Sequence, residues 1–255
     1  MRILLITQSE ELYLPGALST WFAELSDADT VVGCVLLSPA ASGTGRKETL
    51  FSRAWDALTI FGFDFFVNIA LRYVWRRLIK ADTVCSIVES RGIPIIRLSG
   101  SINNAESLAL IKNCGAEIFV SIQGNEIFKQ PLLELAPCLN LHTAPLPKYR
   151  GLMPAFWAIH DQLDETAVSV FLVDEGIDSG PIYVQSSVKI KGLSLHEVIV
   201  RTKLKGMYAI HEALDLVRQG RDPEIINDAS ESSYFGFPTK LDVREFRRRG
   251  GVFFK

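Results

Sequence analysis

Hydrophobic positions in the first part of the chain fall into short runs separated by polar or small residues. Residues 2–7 form one run and residues 31–37 a second, and between them residues 15–25 carry apolar side chains at helical spacing. A strand, a helix and a strand in that order predict the parallel sheet of an α/β protein. The second run leads into a Ser/Pro/Gly-rich stretch at residues 38–45. The rhythm then resumes: residues 81–91 read as a helix stopped by Gly92, residues 93–98 as a strand, residues 103–113 as a helix closed by Cys114 and Gly115, and residues 117–121 as a strand. Residues 167–173 and 182–190 alternate as strands do. Ser194 then caps a long amphipathic helix to about Gln219, which Gly220 ends. No internal repeat is visible.

Residues 46–80 interrupt this order. Phe51, Trp55, Phe61, Phe63, Phe65, Phe66, Tyr73 and Trp75 crowd together there. A membrane-crossing helix needs roughly 20 residues with few or no charges, and Asp56, Asp64 and Arg72 break that run. At about 100° per residue these three charges fall within an arc of roughly 160°, which leaves a broad apolar side opposite. Gly62 is placed to divide the helix. The expectation is a helical insertion whose covered, apolar side packs mainly on its own domain. Any remaining apolar surface is left for a homodimer contact or a shallow peripheral membrane contact, with Arg76 and Arg77 near lipid phosphate.

Composition narrows the class. The 255 residues suit one large domain, with a short appendage at most. At 48% hydrophobic and 22% charged, the chain has ample material for a core, which excludes disorder as its main state. The formal net charge is −2, unlike the strongly basic balance of a general nucleic-acid binder. Cys34, Cys85, Cys114 and Cys138 are far apart, with no C-x-x-C pair. Reduced, mostly buried thiols of a cytoplasmic protein are expected rather than a disulfide framework or a zinc ribbon. The opening MRILLIT lacks the long apolar core and cleavage site of a secretory signal.

Residues 138–180 carry the candidate chemistry. Asn140 and His142 are two apart at the end of an apolar stretch, so in extended backbone they project to one face. Pro145, Pro147 and Gly151 then impose an irregular loop, and loops beyond the carboxyl ends of parallel strands are where α/β sheets place ligands. A second piece turns sharply between Gly176 and Gly180 and presents Asp174, Glu175 and Asp178. An amide, an imidazole and a carboxylate suit acyl transfer without a protein nucleophile. The amide donates to a developing oxyanion, the imidazole moves protons near neutral pH, and the carboxylate favours the imidazolium. On spacing alone the signal is weak, since a single His before a loop is more often structural or a simple hydrogen-bonder.

The string N-L-H-x-x-x-L-P-x-Y-R-G at residues 140–151, followed by W-A-I and D-E-G-I-D-S-G, resembles the signature of the folate-dependent formyltransferases. That family includes glycinamide ribonucleotide transformylase, methionyl-tRNA formyltransferase and sugar-nucleotide N-formyltransferases. The resemblance implies an α/β, Rossmann-like formyltransferase fold over residues 1–220, with a C-terminal extension at 221–255. It implies Asn140, His142 and Asp178 as the catalytic residues and 10-formyltetrahydrofolate as formyl donor, with no metal. It also implies folate contacts from Ile122, Gln123, Gly124, Asn125, Glu126 and Ile127, from Val173, Asp174, Glu175, Gly176 and Ile177, and from Ala144, Pro145, Leu146 and Pro147. The family often has Ser-Leu-Leu-Pro at this last loop, so Ala144 and Pro145 depart from it and put a serine contact in doubt.

The same resemblance sorts the acceptors. Glycinamide ribonucleotide transformylase carries a Gly/Ser/Asn-rich phosphate loop after its first strand, whereas Glu10 and Glu11 here repel phosphate. The large C-terminal tRNA domain and the N-terminal regulatory domain of the folate hydrolases have no counterpart in this sequence. The expected substrate is a small primary amine, sugar-linked. A methionyl-tRNA formyltransferase-like enzyme without its tRNA domain and a non-catalytic folate-binding protein are the alternatives. Arg244, Arg247, Arg248 and Arg249 read either as a solvated helix face or as a clamp on a substrate diphosphate. Tyr234, Phe235 and Phe237 read as tail anchors or base-stacking residues. His160, His196 and His211 have no metal-ligand spacing and read as ordinary helix positions.

Overall fold

The first apolar run is β1 (Arg2–Gln8), whose Ile3, Leu4, Leu5 and Ile6 are completely buried. A strand buried on both faces is what a parallel sheet between two helical layers requires. The protein is described from a computed structural model covering residues 1–37, 55 and 57–255. The Ser/Pro/Gly-rich stretch at 38–45, and Phe51 and Asp56 of the aromatic stretch, lie outside the described residues.

The elements follow the predicted order. α1 (Leu14–Ala23) and β2 (Thr30–Leu37) come after β1, then a π-helical turn (Ala57–Phe61) and α2 (Phe63–Leu78). α3 (Val84–Glu89) begins at a Thr83–Ser86 capping box, and β3 (Ile95–Arg97) follows it. Asn104 caps α4 (Ala105–Asn113) before β4 (Ile118–Ile122). The chain continues through α5 (Gln130–Leu133), β5 (Cys138–His142), β6 (Arg150–Gly151), α6 (Pro154–His160), β7 (Glu165–Leu172) and β8 (Ile182–Lys189). α7 (Leu195–Arg218) begins at a Ser194–Glu197 capping box, followed by β9 (Tyr234–Phe235) and α8 (Lys240–Arg248).

Seven strands form one sheet in the order β3-β2-β1-β4-β5-β7-β8. β3 to β5 are parallel, while β5/β7 and β7/β8 are antiparallel. The chain builds outward from β1 to β3 and then returns to place β4 on the other side of β1. That reversal opens a crevice beyond the carboxyl ends of β1 and β4, with β5 beside it. α7 crosses β5 very closely. A Cβ on Gly206 would stand 2.5 Å from the Leu141 side chain, so only glycine permits this approach.

Residues 221–255 are built into the same core. Phe246 stacks on Phe156 at 4.8 Å and on Phe253 at 4.9 Å, and all three are buried. The Leu195 and His196 amides donate to the carbonyls of Val252 and Phe253. Phe235 stacks on Tyr149 and Trp157, and Phe237 meets the edge of Phe61. Both rings anchor the tail, while Tyr234 is exposed. Cys34 and Cys138 are buried, Cys85 and Cys114 half-buried, and all four are free thiols.

The aromatic insertion departs from expectation in one respect. Gly62, at φ 98°, does divide it. Asp64 accepts from Arg247 at 2.7 Å, and Arg72 lies 5.0 Å over the Phe254 ring and donates to His196. Phe65 packs on Phe253 and Phe254. No residue of α2 is fully buried; Phe65, Phe66, Ile69 and Ala70, opposite the charges, are half-buried, while Phe63, Leu71, Val74 and Leu78 face outward. The expected covering by the domain is therefore found only in part: a second apolar stripe, bordering Asp64, stays exposed.

Candidate active site

β5 delivers Asn140 and His142 to one face of the sheet at its carboxyl end, with β4 on one side and β7 on the other. His142 is buried. Its Nε2 lies 2.7 Å from the Tyr149 carbonyl, and a carbonyl only accepts, so Nε2 carries the proton. Its Nδ1 faces Asp178 Oδ2 at 3.6 Å. The ring is thereby fixed, with Nδ1 turned toward the carboxylate.

Asp178 reaches this place by a strained turn. Its φ is 50°, a region that costs a non-glycine residue energy unless surrounding contacts impose it. Those contacts are present. The Gly151 amide donates to Asp178 Oδ2 at 2.9 Å, and the Asn227 side-chain amide donates to the carbonyls of Asp178 (2.9 Å) and Gly180 (2.8 Å). Asn227 Oδ1 in turn accepts from Arg150 at 2.8 Å. Gly151 has φ 96°, and a Cβ there would stand 2.4 Å from the Phe235 carbonyl, so the conformation and the space both require glycine. Asn227 escaped the sequence reading because it lies in the tail, outside the conserved-looking strings.

The Pro/Gly loop after β5 is tied down along its length. Ser169, fully buried on β7, donates to the Ala144 carbonyl at 2.7 Å and accepts from the Leu146 amide. Gln185 donates to the Leu146 carbonyl, and the Leu146–Pro147 peptide is cis. A serine hydroxyl does serve this loop, but it comes from β7 rather than from the position of Ala144 or Pro145. Tyr149 donates its hydroxyl to Asp161 at 2.9 Å. Burial, followed by that carboxylate, raises its pKa well above the ordinary phenol range.

The other predicted contact residues divide by position. Ile122 is buried at the end of β4. Gln123 follows it at φ 61° and buries its amide oxygen without a donor among the described residues. A Cβ on Gly124 would meet Ser121 Oγ at 2.6 Å, and the Asn125 amide reaches Gln8 at 3.4 Å. The Glu126 carboxylate is engaged by the Ser101 hydroxyl and the Ile102 amide, and the Ile127 carbonyl by Asn103, so both brace a neighbouring loop. In the second turn, Val173 donates to the Cys138 carbonyl. Asp174 Oδ1 accepts from the Gly176 amide and from Ser179, while Glu175 and Ile177 are exposed. The acceptor left without a donor on Gln123, beside backbone at the crevice, fits a heteroaromatic ring that carries N–H groups.

Two remaining features bear on anions. The Glu10 carboxylate accepts from the amides of Leu12, Tyr13 and Leu14, so it occupies the α1 N-terminus that would otherwise receive a phosphate. Its charge opposes the effect of burial on Lys203, which pushes that ammonium down to about 8. Among the tail arginines, Arg247 is held by Asp64, and Arg248 and Arg249 by Glu245. Arg244 lines an open groove with Lys240, Val243 and residues 58–62. Among the described residues there is no cluster of His, Cys, Asp and Glu that could hold a metal.

Comparison with known proteins bears on the family and the fold. The formyl transferase family profile matches residues 75–214. Methionyl-tRNA formyltransferase of Kosmotoga olearia is 35% identical over 163 residues, covering 63% of this chain and 52% of the relative. The chain thus spans about half the length of that curated relative. A sugar N-formyltransferase from a Shewanella species superposes with a TM-score of 0.60 at 18% identity, covering 98% of this chain and 87% of that one. The N-formyltransferase of Helicobacter canadensis, solved with folinic acid and dTDP-3-aminofucose, gives a TM-score of 0.55 at 15% identity over 98% and 80% of the two chains. With a family profile matched over more than half of its length, and the fold shared with solved members, the chain belongs to the formyl transferase family.

Proposed function

We propose that this protein transfers the formyl group of 10-formyltetrahydrofolate to the primary amine of a small, sugar-linked acceptor. The observation that carries the reading is His142 Nδ1, at the end of β5, facing Asp178 at 3.6 Å, with Asn140 two residues earlier on the same face of the strand. When bound, the folate supplies an activated formyl group whose carbon–N10 bond breaks as the amine bonds to the carbon. Asn140 donates its side-chain amide to the oxygen on which negative charge develops. His142 is anchored through Nε2 with Nδ1 toward Asp178. Asp178 and His142 Nδ1 take up the proton that the amine gives up, and a proton is returned to N10 as tetrahydrofolate leaves, so the transfer balances. The crevice beyond the carboxyl ends of β1 and β4, with the Gln123 acceptor at its edge, holds the ring system of the donor.

The acceptor class rests on two supports. Glu10 fills the helix N-terminus after β1, which disfavours a phosphate there. The Helicobacter canadensis protein was solved with an amino-sugar nucleotide. The test is to incubate the full chain with 10-formyltetrahydrofolate and a panel of amines that includes amino-sugar nucleotides, glycinamide ribonucleotide and methionyl-tRNA. Gain of one formyl mass on an amino sugar is expected. Donor binding without formylation across a wide panel would replace the enzyme with a folate-binding protein.

A further inference from the structure

We propose that the outward side of α2 docks on an anionic lipid surface, and this inference stands apart from the reaction proposed above. Phe63, Val67, Leu71, Val74 and Leu78 are spaced four, four, three and four apart, so they form one stripe along the helix. That stripe looks away from the protein. Phe63 is 72% exposed, Leu71 62%, Val74 56% and Leu78 72%, with Trp75 beside them at 63%. A side chain of this size normally finds cover on a soluble protein, and a contiguous apolar patch marks a contact site. Asp64 borders this stripe and is paired with Arg247, while the far side is already used, by Phe65 on Phe253 and Phe254 and by Arg72 on His196 and Phe254. The helix is therefore held to the domain independently of its apolar stripe, which is free to meet something else.

Charge selects the occupant. In residues 57–80 the basic side chains are Arg72, Arg76, Arg77 and Lys80, and the one acid is Asp64, within a chain whose net charge is −2. That acid is neutralised by Arg247. Arg77 and Lys80 are exposed at the end of α2. An apolar stripe bearing Trp and Phe, with cations at its margin and no free carboxylate, is the arrangement of a helix lying in the headgroup region of a bilayer. α2 is 16 residues long, and among the described residues no helix is long and apolar enough to cross a membrane, so the contact is with the surface. A second copy fits less well, because a two-fold contact sets this patch against itself and brings two positive surfaces together. Nucleic acid would engage Arg77 and Lys80 but would leave the apolar stripe uncovered.

The test floats the full chain with vesicles of phosphatidylcholine containing phosphatidylglycerol, and with phosphatidylcholine alone. Binding to the anionic vesicles, at least tenfold tighter than to the neutral ones and weakened by salt, is expected. Leu71→Ser with Val74→Ser should reduce it at least tenfold with an unchanged melting temperature, since both side chains are exposed. Should that variant melt lower, Arg77→Gln with Lys80→Gln decides: loss of the preference for anionic vesicles supports the proposal, and retention overturns it. Absence of vesicle binding by the wild type also overturns it. So does a stable dimer that the Leu71/Val74 variant splits, or tRNA binding lost on changing Arg77 and Lys80.

Discussion

At the scale of single residues, the imidazole of His142 is defined by what each nitrogen can do. Nε2 is committed to the Tyr149 carbonyl and Nδ1 faces Asp178, so the oxygen of a bound formyl group depends chiefly on Asn140 as a direct donor. Replacing Asn140, His142 or Asp178 by Ala should each lower turnover about a hundredfold or more, because loss of one oxyanion donor or proton-transfer group costs roughly 3 kcal/mol. Donor affinity, measured by fluorescence titration, should change far less. Near wild-type turnover in all three would end the assignment. Asn227 makes a different claim. It touches no reacting atom, but it holds the carbonyls on either side of the Asp178 turn and links them to Arg150. With Asn227→Ala the strained φ of Asp178 is less well imposed, and turnover should fall about tenfold while KM for the amine stays within about twofold. A fall in melting temperature with kcat unchanged would instead make Asn227 a purely structural link. The positions of Asn140 and His142 on one strand face and of Asp178 on a tight turn were legible because their strings are local and carry their own turn chemistry. Asn227 was not, because its partner Asp178 lies 49 residues away and a single Asn in a tail has no pattern around it.

At the scale of elements, the boundaries of strands and helices follow the sequence where caps and periodicity agree. Ser194 opens α7 with a capping box, Asn104 caps α4, and Gly62 separates the π-helical turn from α2. What periodicity cannot supply is the identity of the neighbour. It located an apolar side of α2 but not the fact that Arg247, 183 residues from Asp64, and His196 beside Arg72 would help to seat the helix. That seating has a pH signature. Arg72 Nη1 stands 3.3 Å from His196 Nε2, and since a guanidinium only donates, Nε2 must be unprotonated. Burial, and then the charge of Arg72, hold the His196 pKa below its ordinary value, with Glu197 opposing them. Tyr13 and Phe254 complete the surroundings of the ring. Because the folded state disfavours the imidazolium, this contribution to stability is present above the ordinary imidazole pKa of about 6.5 and is lost as pH falls below it, toward the lower folded value. The melting temperature should therefore decline between about pH 7 and 5, and His196→Gln, which stays neutral, should flatten part of that slope. A slope identical in wild type and variant would remove His196 from the account.

At the scale of the whole molecule, residues 221–255 close the structure rather than trail from it. β9 pairs with β6 beside the catalytic loop, and Phe246 and Phe253 join the main core. Phe235 and Phe237 are thereby spent on anchoring, and three of the four arginines at 244–249 on ion pairs, which leaves Arg244, with Lys240, for the diphosphate clamp, one of the two readings of that cluster. This bears on the acceptor, since a polynucleotide and a sugar nucleotide place very different demands on surface charge. Each phosphate neutralised by Lys or Arg releases counterions, and log affinity falls with log salt by roughly 0.7–0.9 per contact. A tRNA substrate needs many such contacts, which should give a slope steeper than about −5, whereas a sugar nucleotide engaging two or so phosphates should give one no steeper than about −2. With a net charge of −2 and most tail arginines paired internally, the shallow case is expected. The measurement is the acceptor's Kd, by calorimetry, across a series of salt concentrations at fixed pH, with an amino-sugar nucleotide and initiator methionyl-tRNA compared on the same preparation. A shallow slope together with formylation of the sugar supports the proposed acceptor class. Tight tRNA binding with a steep slope, and formylation of its amine, would transfer the activity to the translation substrate and end the sugar proposal.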